Sequence, residues 1–227
     1  MVAFDVAGTT LNVTDQVPEA FRSAFAAADL YVRDDHITGV RGVSKRKAIQ
    51  ELVDSLAPAR DPAALTATGD AIFSTFKERL LTSYRTAEVR PIEGVESTFE
   101  WLRARGVAIA LTTGFDRELV QLLLERVGWT DTFDAVICDD DVEQGRPAPD
   151  LILEAMRRTM TQDLARVVAV GDTTADLHAA RRAGVGCAVG VLSGAHTEEM
   201  LQQAPHDAII GSVADLPSVL RVARELE

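Results

Sequence analysis

The chain has 227 residues, 47% of them hydrophobic, with 23 Lys+Arg against 35 Asp+Glu and a net charge of −12. That supplies a full core with room for a smaller inserted unit, while the negative balance argues against nucleic-acid or anionic-membrane partners and requires a local cation cluster for any anionic substrate. No apolar run approaches the roughly 18 residues of a membrane span, the N-terminus lacks a basic n-region, and Cys138 and Cys187 sit in apolar strand-like runs, so a reduced, cytoplasmic protein is expected.

Val2 to Val6 is a β-branched apolar run stopped by Gly8-Thr9-Thr10, which predicts a buried strand carrying Asp5 at its carboxyl end. Three helices are expected next. One opens near Pro18 and runs to about Leu30. A second spans Ser44 to Leu56 with Ser44 as N-cap, and a third starts at Asp61-Pro62 and continues past Leu81. From Pro91 onward strands and helices alternate. Strands are predicted at 107–112, 135–138, 167–170, 185–191 and 208–210, with helices at 94–105, 116–127, 150–160, 174–183, 198–203 and 213–225. Such alternation means βαβ units and a parallel sheet. The fold class is therefore α/β, with a Rossmann-like core of residues 1–11 and 91–227 and a small all-α insert at 12–90. Hinges are expected near 10–17 and 87–94.

The carboxyl ends of parallel strands share one edge of the sheet, where ligands bind. Asp5 there is either a turn cap or a nucleophile or metal ligand, with Gly8 allowing close backbone approach. Leu111-Thr112-Thr113-Gly114 offers hydroxyls and a helix start to an anion, or simply an N-cap. Gly145-Arg146-Pro147 puts a cation on a stiff loop. Gly171-Asp172-Thr173-Thr174-Ala175-Asp176 places one carboxylate at a strand end and another four residues on. Asp172 beside Asp5 would suit Mg²⁺.

These motifs together resemble the haloacid dehalogenase superfamily of phosphoryl-transfer enzymes. The resemblance implies that Asp5 attacks phosphorus to form an aspartyl-phosphate, and that Mg²⁺ is held by Asp5, the Ala7 carbonyl and Asp172. Asp176 and Thr173 would support the site, Thr112 or Thr113 together with Arg146 would hold phosphoryl oxygens, and Gly8, Thr9 and Gly114 would contact substrate. Two departures narrow it. Most phosphatases of the superfamily have aspartate where this chain has Ala7, and lysine where it has Arg146. D-x-A-G-T-T and G-R-P-x-P are similar to the phosphonatase (phosphonoacetaldehyde hydrolase) family, in which a cap lysine forms a Schiff base with the substrate aldehyde. Lys45 matches that lysine, in a chain with only three lysines, Lys45, Lys47 and Lys77. Crowding by Arg41, Arg46 and Lys47 and the adjoining helix N-terminus should lower its pKa. The substrate shell differs: Arg41, Ala48 and Phe115 stand where that family has methionine, histidine and tyrosine, and no tryptophan follows Asp5.

The leading expectation is thus a Mg²⁺-dependent phosphonatase-like hydrolase acting on a small phosphonate. A phosphatase or phosphotransferase of small phosphorylated metabolites is the alternative, with Lys45 and Arg41 gripping a substrate anion. Halide displacement and a non-catalytic binding module rank below both. Similar enzymes are often homodimers through the cap.

Overall fold

The computed structural model describes residues 1–13, 16–57 and 61–225. Strand β1 (Val2–Phe4) is followed by β2 (Leu11–Asn12) and four helices: α1 (Gln16–Ala26), α2 (Asp34–Gly39), α3 (Lys45–Leu56) and α4 (Pro62–Thr86). The chain returns through β3 (Arg90–Pro91) to α5 (Val95–Arg103), β4 (Ile109–Thr112), α6 (Arg117–Val127), β5 (Ala135–Ile137), α7 (Asp150–Arg158) and β6 (Val168–Gly171). It ends with α8 (Thr174–Ala183), β7 (Cys187–Val191), α9 (Glu198–Gln202), β8 (Ala208–Ile210) and α10 (Leu216–Glu225). No helix among the described residues is long and apolar enough to cross a membrane.

The sheet is α/β and Rossmann-like. Its six strands run in the order β5-β4-β1-β6-β7-β8, every adjacent pair parallel, so β1 lies inside the sheet with Phe4 level with Leu111 of β4 and Val170 of β6. β1 is buried throughout, consistent with a strand covered on both faces. Asp5, Thr112 and Asp172 therefore arrive at one edge from three neighbouring strands.

The four helices between β2 and β3 pack on one another, chiefly α1 and α3 against α4, with Phe21 and Phe76 rings 4.7 Å apart. Ser44 caps α3 by accepting from the Lys47 amide, and Asp61 caps α4 by accepting from Ala63 and Ala64. Three features differ from the expectations. The first helix stops at Ala26, and the chain turns through Asp29 in a left-handed conformation rather than continuing to Leu30. The unexpected α2 is too short for its apolar spacing to register. β2 and β3 form a two-residue antiparallel ribbon that carries the chain out to the helices and back, where only linkers were expected. Thr14 and Asp15 of the expected first hinge lie outside the described residues.

Helix α4 is tied down at this ribbon. Buried Tyr84 donates its hydroxyl to the Val13 carbonyl at 2.6 Å, and Arg126 of α6 donates to the carbonyls of Tyr84 and Ala87 at 2.9 and 3.0 Å. Tyr84→Phe leaves the Val13 carbonyl without this buried donor and should cost about 1–3 kcal/mol. Urea unfolding would show the loss as a lower midpoint at unchanged slope.

Candidate active site

Asp5, the residue after β1, is buried. Its Oδ1 accepts from Arg146 Nη1 at 2.6 Å, and the same nitrogen lies 2.6 Å from Asp176 Oδ1. Nη2 of Arg146 donates to the Thr112 carbonyl at 2.6 Å and to its hydroxyl at 3.2 Å. Arg146 is 3% exposed, so these contacts make up its charged environment in place of water. The two carboxylates raise the guanidinium pKa further above its ordinary range, outweighing burial. Burial raises Asp5 to about 6, against the lowering effect of Arg146.

Asp172, immediately after β6, accepts from the Thr9 hydroxyl at 3.2 Å and from the Ala195 amide at 2.7 Å. Burial, and then Asp5 and Asp176, push its pKa well above the usual range. Gly8 makes the approach feasible: its φ is +85°, and a Cβ there would fall 2.5 Å from Asp172 Oδ2. Asp176 accepts from both the amide and the hydroxyl of Thr173 on its other oxygen, at 3.0 and 2.5 Å, capping α8. Arg146 thus pairs directly with two of three buried acids, Asp5 and Asp176. Hard oxygen donors short of positive charge are the donor set a divalent cation such as Mg²⁺ takes, and Asp5, Asp172 and the neighbouring Ala7 carbonyl are the groups that would hold it.

Lys45 begins α3. It is buried; its Nζ donates to the Val43 carbonyl at 3.0 Å and stands 5.6 Å from the centroid of the Phe115 ring. Its pKa falls to about 8. The expected direction holds, but the cause differs: burial dominates and Arg146 adds to it, whereas Arg46 turns out to Asp70 and Phe73, and Lys47 to Glu51. Asp5, Ala7, Arg41, Lys45, Thr113, Gly114, Phe115, Arg146, Asp172 and Thr173 line one cavity beneath α1 and α2.

Two expected substrate contacts lie elsewhere. The Thr9 hydroxyl is bonded to Asp172, and Gly8 packs against that carboxylate; neither lines the cavity. Likewise Thr112 braces Arg146 and donates to the Phe4 carbonyl, leaving Thr113 as the threonine on the cavity wall. Ala48, at the family's histidine position, is fully buried among the helices. The Cys138 thiol is pushed up to about 12 by burial, which makes it a poor nucleophile.

One residue was missed. Asp139, just beyond β5, accepts from Ser44 Oγ at 2.6 Å, and its other oxygen is buried with no partner among the described residues. Burial raises its pKa. This bond fastens the start of α3 to the sheet edge, next to Lys45. Gly145 leaves room for it, since a Cβ there would fall 2.4 Å from Asp139 Oδ1 and 2.8 Å from Ser44 Cβ. The run Asp139-Asp140-Asp141 signals only acidity, so nothing in the sequence singles out its first member.

The parallel sheet thus gathers an aspartate, a guanidinium and a second acid pair at its carboxyl edge, next to the four helices between β2 and β3. The chain belongs to the haloacid dehalogenase-like hydrolase family, whose family model matches residues 2–190. It is 30% identical over 234 residues to a phosphonoacetaldehyde hydrolase of Latilactobacillus sakei subsp. sakei (strain 23K), covering 100% of this chain and 84% of that protein. It is 29% identical over 224 residues to a phosphoglycolate phosphatase of Agrobacterium fabrum (strain C58 / ATCC 33970), covering 97% and 91%. The fold is shared with a phosphonoacetaldehyde hydrolase-like protein from Oleispira antarctica, at TM-score 0.84 and 20% identity over 99% of this chain and 92% of the other.

Removing the Ser44 hydroxyl strips Asp139 of its side-chain donor. Ser44→Ala should loosen the 41–47 segment by about 1–2 kcal/mol, seen as roughly tenfold or faster amide exchange at Lys45 to Lys47 with the exchange of β1 and β4 unchanged.

Proposed function

We propose that the protein is a phosphonatase-like hydrolase in which Asp5 is the nucleophile and Lys45 forms an imine with a carbonyl placed β to phosphorus. The observation that carries this reading is a buried lysine with a pKa near 8, lining the same cavity as Asp5, in a chain with Ala7 where a leaving-group acid would stand. The helical insert, residues 12–90, acts as a cap on the core formed by 1–11 and 91–227. The similarity to phosphonoacetaldehyde hydrolases supports the assignment.

A carbon leaving group needs an electron sink. The Lys45 amine adds to the substrate carbonyl and water is lost, giving an iminium. An Asp5 oxygen then bonds to phosphorus, the C–P bond breaks, and its electron pair moves into the enamine. Arg146 and the Thr113 region hold the phosphoryl oxygens as charge shifts. Protonation at carbon and hydrolysis of the imine release acetaldehyde and free Lys45, while water at phosphorus releases phosphate and restores Asp5. Mg²⁺, held by Asp5, Asp172 and the Ala7 carbonyl, would neutralise phosphoryl charge when bound.

The test is phosphate and acetaldehyde release from phosphonoacetaldehyde with Mg²⁺, comparing native protein with Lys45→Arg. Turnover by the native chain, abolished in a variant that keeps charge but cannot form an imine, is expected. Turnover that survives the change would sink the imine, and none in either protein would leave a phosphoryl-transfer enzyme for esters. A second expectation concerns pH. Lys45 reacts only as the free amine, whose fraction rises as pH increases through about 8 rather than 10.5, so borohydride trapping of the substrate adduct should reach half its maximum rate near pH 8. A midpoint near that of an ordinary lysine would contradict the burial argument.

A further inference from the structure

The cavity contains one cation that neither imine formation nor phosphoryl transfer uses. Arg41 follows α2, four residues before Lys45, and lines the cavity together with Asp5, Lys45 and Arg146. Arg146 is bonded to Asp5, Asp176 and Thr112, and Lys45 to the Val43 carbonyl. Arg41 is half-buried, yet among the described residues no carboxylate lies within ion-pair distance of its guanidinium and no side-chain hydrogen bond holds it. Val17, Phe21, Ile37, Val40 and Phe115 form the apolar part of the cavity wall, and the His196 imidazole lies close enough to Arg41 for the guanidinium to lower its pKa. A guanidinium partly removed from water without a partner is unfavourable, and a bound anion would offset that cost.

We propose that the substrate carries a carboxylate next to its carbonyl group and that Arg41 binds it, so the substrate class is a carboxylated β-oxo phosphonate rather than a simple aldehyde. This deepens the imine reading and rests on it. A carboxylate is favoured over a second phosphate because one guanidinium balances one negative charge and its planar fork matches a carboxylate in two hydrogen bonds. Arg41 and Lys45 stand four residues apart and line the same cavity, so one substrate can meet both. The chemistry balances as before: the ketone condenses with Lys45 and loses water, Asp5 takes the phosphoryl group as the C–P pair enters the enamine, and protonation with hydrolysis gives a 2-oxo acid. With 3-phosphonopyruvate as probe, the products are pyruvate and phosphate.

The experiment measures kcat/KM for 3-phosphonopyruvate and phosphonoacetaldehyde in the native protein, Arg41→Leu and Arg41→Lys. The native chain should prefer the carboxylated compound by about tenfold or more. Arg41→Leu should erase that ratio mainly through KM, and Arg41→Lys should restore part of it. A native preference for the aldehyde, or a ratio that Arg41→Leu leaves intact, overturns the proposal. If neither phosphonate is cleaved, the imine reading has failed by itself, and the anion subsite is judged on phosphoglycolate against ethyl phosphate. A preference for phosphoglycolate that disappears in Arg41→Leu upholds a carboxylate subsite, and equal use of the two esters sinks it.

Discussion

The arrangement depends on one buried guanidinium. Asp5, Asp172 and Asp176 are brought to the same sheet edge by β1, β6 and the start of α8, and burial raises the pKa of Asp5 and Asp172. Arg146 opposes this by placing a single nitrogen 2.6 Å from both Asp5 and Asp176 while its second nitrogen holds the Thr112 carbonyl. Removing one partner of such a buried group leaves an uncompensated charge, at a cost of about 3–5 kcal/mol. Lysine, a point charge on a flexible stem, would not span two carboxylates and a carbonyl with fixed geometry. The bridge also leaves the site short of positive charge, because among the described residues Asp172 makes no ion pair, its donors including Thr9 and the Ala195 amide. That shortage is the physical basis for reading Asp5 and Asp172 as ligands of a divalent cation.

The second constraint is the seam between the helices and the sheet edge. Ser44 has two tasks: it caps α3 through the Lys47 amide and donates to Asp139 across the seam. The cap fixes where the helix begins, and the seam bond fixes where that beginning sits, so Lys45, the first helical residue, is buried beside Phe115 rather than left in solvent. Its lowered pKa follows from this seating more than from nearby like charges. Positions 46 and 47 show the contrast, since both project outward and pair with Asp70 and Glu51.

Much of this was legible in the sequence because parallel strands gather their carboxyl ends. Short apolar runs broken by polar residues marked the strands, and the polar residues that broke them, Asp5, Thr112 and Asp172, proved to be neighbours. What stayed hidden were features too short for periodicity or dependent on side-chain direction. Helix α2 has six residues, and β2 and β3 have two each. The three consecutive acids after β5 have different fates: Asp139 meets Ser44, Asp140 accepts from the Arg117 amide, and Asp141 pairs with Arg117 and Arg158. Composition treats them alike, and only the turn of the chain separates them. Thr112 and Thr113 were likewise interchangeable in the sequence, but Thr112, the last residue of β4, meets Arg146 and Thr113, just beyond the strand, stands on the cavity wall.

The seam also bears on how the chemistry is divided in the proposed mechanism. With Ala7 two residues after the proposed nucleophile, the core edge carries no acid at that position to assist a leaving group, and in the proposed mechanism the assistance comes from the inserted helices. Lys45 and Arg41 are the groups those helices send into the cavity with charge, and both depend on the same short segment between α2 and α3. Phosphorus would be held by the sheet edge, and the carbonyl end of the substrate by the insert. A substrate lacking either end would leave half of the cavity's polar groups unmatched, and in a cavity otherwise walled by Val17, Phe21, Ile37 and Val40 that mismatch carries a desolvation cost. Selectivity would then reside in the insert and reactivity at phosphorus in the core, and the residues at positions 41 and 45 would set this chain's chemistry apart more sharply than the strand-end motifs it shares with its family.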